Sequence, residues 1–351
     1  MIYQKNGNEL KMIENQSTIK NPRSKINFGV IGCGWVARDY VIPAIVASRN
    51  AQLVALCDLD CKNYEQVLAD DSSVLGTTNL NEFLAVPTLD AVYIATPNNS
   101  HRFLTEQAAT AGKHVLCEKP MATNLIDAEA MVAACRTNGV QYATAFDQRF
   151  QARHLKLREL IGHDALGKIT CAKIHYACWL PPDWAADNWR IDREKAGGGA
   201  FIDLAPHGID LLQFLLDEEI VQFSCFLQQK VFDYAVDDGA VAIGQFASGA
   251  LMTMNVAYNC PDAFPRRTLE IVGTKAMIVA TNTMGQTPGG QLFLIETNGE
   301  QREILVDEGS DISPFRRQIE VFSDCLLNEK PFPFAPERDL QTMRILGRSN
   351  L

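Results

Sequence analysis

The stretch INFGVIGCGWVARDY, residues 26–40, decides the fold. Its first half is an apolar run of strand length that ends directly in Gly32-x-Gly34-x-x-Ala37. A glycine pattern alone is weak evidence, but one that closes a strand and opens a helix has a mechanical reading. The first glycine permits a tight turn, the second lets backbone approach a pyrophosphate, and a small residue at 37 lets helix and strand pack closely. The helix start then offers unpaired NH groups to the anion. The next strand, QLVALCD, ends in Asp58, whose carboxylate suits the ribose hydroxyls of an adenosine. A 2′-phosphate there meets like-charge repulsion of roughly 1–4 kcal/mol per charge pair, which favours NAD over NADP. In the competing reading the glycines only shape a turn and Asp58 caps the following helix; the strand-helix-strand context speaks against it.

Outward from this unit, LDAVYIATP, KHVLCEKP and VQYATAF continue the strands, separated by amphipathic stretches, as far as Phe146. Such alternation implies parallel strands with crossover helices, an α/β doubly wound sheet. The spacing of Ala128, Met131, Val132 and Cys135 predicts a helix over 125–135, with Thr123 as cap and Gly139 beyond its end. Pro43 is expected to break or kink the first helix. After Gln148 a helix, ARHLKLRELIG, leads into strands without crossover helices: ITCAKIHYAC, VQFSCFLQQKV, DGAVAIGQFA, ALMTMNVAY, TLEIVG, AMIVAT, QLFLIET and REILV. Their short polar turns predict an open, mainly antiparallel sheet in a C-terminal α+β domain. The expected division is a polar, mobile tail over 1–24, a dinucleotide-binding domain over 25–147, and a substrate-binding and oligomerisation domain over 148–351. Met252, Met254 and Val256 are expected on an open sheet face that a partner subunit covers, in a homodimer or homotetramer.

The bulk numbers agree with such a chain. Its 351 residues suffice for about two cores. The 32 Lys plus Arg against 42 acids, net charge -10, argue against a nucleic-acid partner, which needs a basic face. Ten cysteines are scattered without a C-x-x-C pair or a signal peptide, so they read as free thiols of a cytoplasmic protein. No apolar run approaches the length of a membrane span, and no metal is expected.

Ligands of open parallel sheets bind beyond the carboxyl ends of the strands, where two loops lie: ATPNNSH (95–101) and CEKP (117–120). Candidate cofactor contacts are therefore Gly32, Gly34, Trp35, Val36 and Asp58, with Thr96, Pro97, Asn98, His101, Glu118 and Lys119 from the loops. Ser100 reads first as an N-cap. Lys119, with Pro120 behind it, is either a group held at the mouth of the site or a surface lysine paired to Glu118. In GGGAFIDLAPHGIDLLQFLL (197–216), Asp203 and His207 stand at helical spacing on one face of an apolar segment. Each needs a hydrogen-bonding task to offset its burial. Asp203 as an N-cap, with Pro206 in the first turn, and His207 as a core histidine are the structural alternatives.

Taken together and in order, GVIGCGWVA, ATPNNSH, CEKPMATN, FDQRF and GGGAFIDLAPHGIDLL resemble the Gfo/Idh/MocA oxidoreductases, from about Lys25 to the C-terminus. The resemblance implies an N-terminal Rossmann domain, a C-terminal domain with an open antiparallel sheet, and chemistry carried by Lys119, Asp203 and His207. A histidine titrates near neutral pH and suits proton transfer. Lys119 is expected to stabilise the reacting oxygen, or alternatively to carry the proton itself, and Asp203 to orient His207 or bind a substrate hydroxyl. The expected activity is hydride transfer between NAD and a hydroxyl or keto carbon of a sugar or polyol. A glycosidase that oxidises its substrate transiently and a non-catalytic dinucleotide sensor are the alternatives. WLPPDWAADNWR (179–190) offers Trp179, Trp184, Trp189 and Arg190 for a polyhydroxylated ring, or for an interface or the core. Arg149 of FDQRF is expected to hold substrate or cofactor, or to bridge the domain joint.

Overall fold

The structure, a computed structural model, describes residues 3–6, 9–12, 24–68, 73–181, 188–233, 235–306 and 311–348. Tyr3–Asn6 (β1) and Glu9–Met12 (β2) pair as an antiparallel ribbon, so part of the segment read as a mobile tail has regular backbone. Residues 13–23 lie outside the described ones.

Ile26–Ile31 (β3) is buried along its whole length. It lies inside a six-stranded sheet with Ala51–Cys57 (β4), Leu75–Thr77 (β5), Ala91–Ile94 (β6), His114–Glu118 (β7) and Tyr142–Ala145 (β8), in the order β5-β4-β3-β6-β7-β8. Every pairing is parallel. A sheet covered on both faces has no polar side, which is why β3, β6 and β8 are buried at every position. The sequence reading does not anticipate β5, since three residues around a glycine carry no periodicity. At Pro43 the first helix is disturbed as expected: Ala37–Val41 is a π-helical turn that reverts to α at Ile42–Ala47, where proline in the first turn needs no NH partner. The helix Leu125–Thr137 buries Ala128, Met131, Val132 and Cys135. Its cap is Asn124, which accepts from the Asp127 NH at 2.9 Å; Thr123 stands one residue too early to reach it.

The second sheet has eight strands: Ile169–Ala177 (β9), Ile220–Gln228 (β10), Gly239–Phe246 (β11), Leu251–Ala257 (β12), Arg267–Gly273 (β13), Ala276–Thr281 (β14), Gln291–Glu296 (β15) and Gln301–Glu303 (β16). In the order β10-β11-β12-β9-β13-β14-β15-β16, all pairs are antiparallel except β9 with β12. The chain passes between those two through a helix and the β10–β11 pair, so no hairpin imposes antiparallel pairing on them. That helix, Ala200–Leu216, packs against β9 and β12; a Cβ at Gly208 would meet Met254 Sδ at 2.7 Å. Met252, Met254 and Val256 are accordingly buried, and the uncovered face carries their neighbours Leu251, Thr253 and Asn255. Strand parity was misread by one residue, which exchanges the two faces.

Two late helices, Pro314–Leu327 and Pro336–Leu346, are absent from the sequence reading, although each has proline in its first turn. Phe315, Ile319, Phe322 and Cys325 of the first pack with Phe28 and Ile45, so the chain returns to the parallel sheet. The ten cysteines are unpaired. Among the described residues no helix is long and apolar enough to cross a membrane.

Candidate active site

The glycine loop has the form a pyrophosphate requires. Gly32 has φ +87°, and a Cβ there would strike the Ala95 carbonyl oxygen at 2.7 Å, so only glycine fits between β3 and the loop after β6. A Cβ at Gly34 would meet nothing within 4 Å, which leaves its backbone open to an approaching group. Trp35 and Val36, half-buried, follow at the helix start, and Trp35 Nε1 is buried without a partner. Asp58 closes the loop from β4: Oδ2 accepts from the Cys33 NH at 2.7 Å, and Oδ1 from the Asp60 NH and Asn63 Nδ2, both at 3.0 Å. A carboxylate offers about four acceptor positions, so roughly one is left for a ribose hydroxyl. Open backbone at Gly34, an orphan indole NH and an acid at the next strand end fit a dinucleotide.

The two loops beyond β6 and β7 are tied together. His101 is fully buried, with Nδ1 3.0 Å from the Pro120 carbonyl and Nε2 2.9 Å from that of Thr96. It braces the loops and has no surface for a cofactor, which corrects its expected role. Asn98 is also buried and donates to the Ala196 carbonyl at 2.8 Å, joining Pro97 and its loop to the Arg193–Ala196 helical turn. Ser100 occupies the N-cap position of His101–Thr110, but its hydroxyl turns back to the Pro97 carbonyl and Thr96 Oγ1, both at 2.7 Å.

Lys119 stands at the end of β7, ahead of a cis peptide bond to Pro120. Its Nζ does not pair with Glu118. It reaches Asp203 of the second lobe, donating to Oδ1 at 2.8 Å and to the backbone carbonyl at 3.0 Å. Glu118 accepts instead from Tyr93 Oη at 2.7 Å. Asp203 alone among the residues of its helix is not fully buried. Its second oxygen accepts from Tyr258 Oη at 2.9 Å and lies 3.6 Å from Arg190 Nε. Burial alone would raise this carboxyl; Lys119, Arg190 and Tyr258 outweigh it and hold the group well below the usual carboxylate range.

Asp203 is not the helix cap. Gly199 holds that position without a side chain, and Asp237 caps from across the domain, accepting from the Gly199 NH at 2.8 Å and the Phe201 NH at 2.7 Å. Pro206 lies inside the helix, beyond the first turn. One turn on from Asp203, His207 packs edge-on to Tyr176, with ring centroids 5.5 Å apart. Burial, then the Lys119 charge, pushes its pKa well below the ordinary imidazole value, so the ring is neutral at pH 7. Asp203 does not orient it, since both carboxylate oxygens are turned to other groups.

Of the aromatic candidates, Trp189 and Trp35 flank Arg190, whose guanidinium lies 4.6 and 5.7 Å from the two rings. Trp179 packs on Phe232 at 5.0 Å, and Trp184 lies outside the described residues. Arg149 touches no cleft. It is fully buried, donating from Nε to Asp210 at 2.8 Å and from a terminal nitrogen to Asp339 at 2.6 Å, which makes it the bridge of the domain joint. Sequence reasoning passed over Asp147, Asp237 and Tyr258, which sit at a strand exit, before β11 and after β12. Asp147 lies in FDQRF and Tyr258 closes ALMTMNVAY, but neither was read as a site residue.

A parallel sheet with an open glycine loop, whose own strand-end lysine faces a carboxylate and an imidazole from a second lobe, defines a dinucleotide-dependent oxidoreductase. Comparison with known proteins carries this further. Residues 26–146 match the NAD-binding Rossmann fold of the oxidoreductase family, and residues 154–279 match the GFO/IDH/MocA C-terminal domain. The 1,5-anhydro-D-fructose reductase of Ensifer adhaerens is 32% identical over 276 residues, 78% of this chain and 81% of the relative. The myo-inositol 2-dehydrogenase of Thermotoga maritima is 28% identical over 75% of this chain and 77% of its own. The crystal structure of the aldose-aldose oxidoreductase from Caulobacter crescentus in complex with glycerol superposes with a TM-score of 0.82 at 26% identity, covering 92% of this chain and 96% of that one. The chain belongs to the Gfo/Idh/MocA oxidoreductase family, as the motifs implied.

Proposed function

We propose that the protein transfers a hydride between NAD and a hydroxyl or keto carbon of a sugar, polyol or related small molecule, as a cytoplasmic homodimer or homotetramer. Residues 25–147 hold the dinucleotide and 148–351 the substrate. The observation that carries this reading is the contact of Lys119 with Asp203 at 2.8 Å across two lobes, one helical turn from His207. The names of the relatives, a reductase, a dehydrogenase and an aldose oxidoreductase, support the substrate class. Asp58 supports NAD, because a 2′-phosphate would meet its charge.

When bound, the nicotinamide supplies the hydride acceptor or donor. Lys119 aims its ammonium at the reacting oxygen and favours the negative charge that develops there. Asp203 fixes that ammonium and is itself fixed by Tyr258 and Arg190. His207, neutral, accepts the hydroxyl proton in oxidation and returns it in reduction. Trp189 and Arg190 border the cleft with an apolar face and a donor fork, which suits a polyhydroxylated ring.

Two measurements test this. Thermal shift with NAD(H) and NADP(H) is expected to show the larger stabilisation with NAD(H). A sugar and polyol screen at the NADH absorbance band, including myo-inositol with NAD and 1,5-anhydro-D-fructose with NADH, is expected to give turnover that Lys119→Ala and His207→Ala each lower at least 100-fold. Near-parent turnover in either variant removes that residue from the mechanism.

A further inference from the structure

The carboxylate that reaches His207 is Asp147. It stands just past the end of β8, where the chain leaves the parallel sheet, and is buried. Its Oδ2 accepts from Gln148 Nε2 at 2.8 Å, and Gln148 is anchored in turn on the Gly285 carbonyl at 3.2 Å. This leaves Oδ1 facing the imidazole, 3.6 Å from Nδ1. His207 Nδ1 is itself buried and has no hydrogen-bond partner, an expensive state for a polar atom. Tyr176 fixes the ring plane from the side, so the ring meets Asp147 with this nitrogen.

We propose that Asp147 is the positioning residue of His207: its carboxylate takes the Nδ1–H of the imidazole, keeps Nε2 unprotonated for the substrate, and steadies the imidazolium formed during turnover. The inference rests on the oxidoreductase reading above. In oxidation the substrate C–H bond breaks with its electron pair leaving as hydride, and a bound nicotinamide would supply the hydride acceptor. The O–H bond breaks with its proton passing to Nε2, and the carbonyl forms; Nδ1–H stays on the ring and Asp147 stays anionic. Reduction reverses each transfer. A carboxylate on the far nitrogen is the usual way to set an imidazole's tautomer, and the 3.6 Å separation is one that catalytic hydrogen bonds close when substrate docks.

The charged and titratable groups around the pair are Glu118 and Lys119 at the end of β7, Tyr93 on β6, Tyr176 on β9, Asp203 one turn back, and Arg267 on β13. Burial and then Glu118 push Asp147 up to about 7, against the pull of Lys119. Below that pH Asp147 carries a proton and cannot accept from Nδ1, so kcat/KM rises through neutral pH as a property of the pair.

The test uses the full-length protein with NAD, as parent, Asp147→Asn and Asp147→Glu, with thermal melting to confirm folding. Long-range 15N–1H NMR reads the His207 tautomer, its signals assigned by their loss in His207→Gln. Kinetics use whichever of myo-inositol or 1,5-anhydro-D-fructose the parent converts. The parent is expected to show Nδ1–H at pH 8, and Asp147→Asn to lose that preference. In Asp147→Asn, kcat is expected to fall about 100-fold with KM within about twofold, and the rise with pH to move at least one unit to acid. Asp147→Glu is expected to recover at least tenfold of the loss. A parent protonated at Nε2, or an Asp147→Asn variant with parental tautomer, kcat and pH profile, overturns the proposal. A parent that converts neither compound counts against the substrate reading alone, because the tautomer measurement still decides the pair.

Discussion

Asp203, partly exposed, and Asp147, buried, are two aspartates whose environments drive them in opposite directions. Asp203, held low by Lys119, Arg190 and Tyr258, contributes stability that is present above the ordinary aspartate pKa of about 3.9 and is lost as the pH falls through its folded value. Asp203→Asn is therefore expected to lower Tm at pH 7, with the deficit shrinking as the pH is taken below about 4. Asp147, pushed up to about 7, has the opposite sign: the folded state binds its proton more tightly, so stability declines as the pH rises from about 4 to 7. Asp147→Asn is expected to melt a few degrees above the parent at pH 8 and level with it near pH 4. Differential scanning calorimetry across pH checks both, and equal shifts at all pH values would contradict this account. Lys119, Asp203 and His207 were picked out by the family resemblance; spacing alone left Lys119 open to pairing with Glu118 and His207 to a core role. Asp147 was not, because its partner lies 60 residues away in the chain and nothing local marks the pairing.

At the scale of elements, the Ala200–Leu216 helix places two of those three groups, and its start is held by a residue outside it. Asp237 satisfies the Gly199 and Phe201 NH groups, while the Asp237 carbonyl accepts from Ala200 at 3.0 Å. Gly199 is required there, since a Cβ would lie 2.0 Å from the Asp237 carbonyl oxygen. Removing the carboxylate strips a cap and leaves buried donors unpaired, so Asp237→Ala is expected to cost about 2 kcal/mol in urea unfolding. It should also raise KM, because Asp203 rides on the first turn that loosens. Unchanged stability would mean that other groups cap this helix. Apart from β5, the alternation of strands and helices over residues 25–146 and the run of strands after it followed from periodicity; the two late helices did not. The cap did not, because a helix that begins with three glycines carries no capping side chain of its own and draws one from a distant loop. The face of β12 was misassigned for a related reason: Leu251–Ala257 alternates cleanly, but alternation names two faces without saying which the helix covers.

At the scale of the molecule, two features decide how the lobes stay together and what they meet. Arg149 ties the strand exit at β8 to Asp210 of the site helix and Asp339 of the last helix, with its guanidinium over Phe146 and Phe334 at 4.8 and 4.5 Å. Arg149→Met leaves two buried carboxylates uncompensated and is expected to destabilise by about 3–5 kcal/mol, read by chemical unfolding. The other feature is the uncovered face of the second sheet. There Phe226, Val241, Ile243 and Leu251 are 79%, 48%, 56% and 54% exposed. The register aligns Phe226 with Val241, and places Ile243 next to them on the same face. Fully burying such side chains is worth about 1.5–3 kcal/mol each, so this face is where the proposed self-association is expected. A second copy of the same sheet presents the same row, and a two-fold axis makes the contact reciprocal, so lysines placed in the row appear on both sides of it. The double variant Phe226→Lys, Ile243→Lys sets like charges opposite one another across that axis. Sedimentation at micromolar concentration is expected to show a dimer or tetramer for the parent and a smaller species for the variant, with its fold intact by circular dichroism. A parent that sediments as a monomer removes the self-association proposal and leaves the face to a different partner.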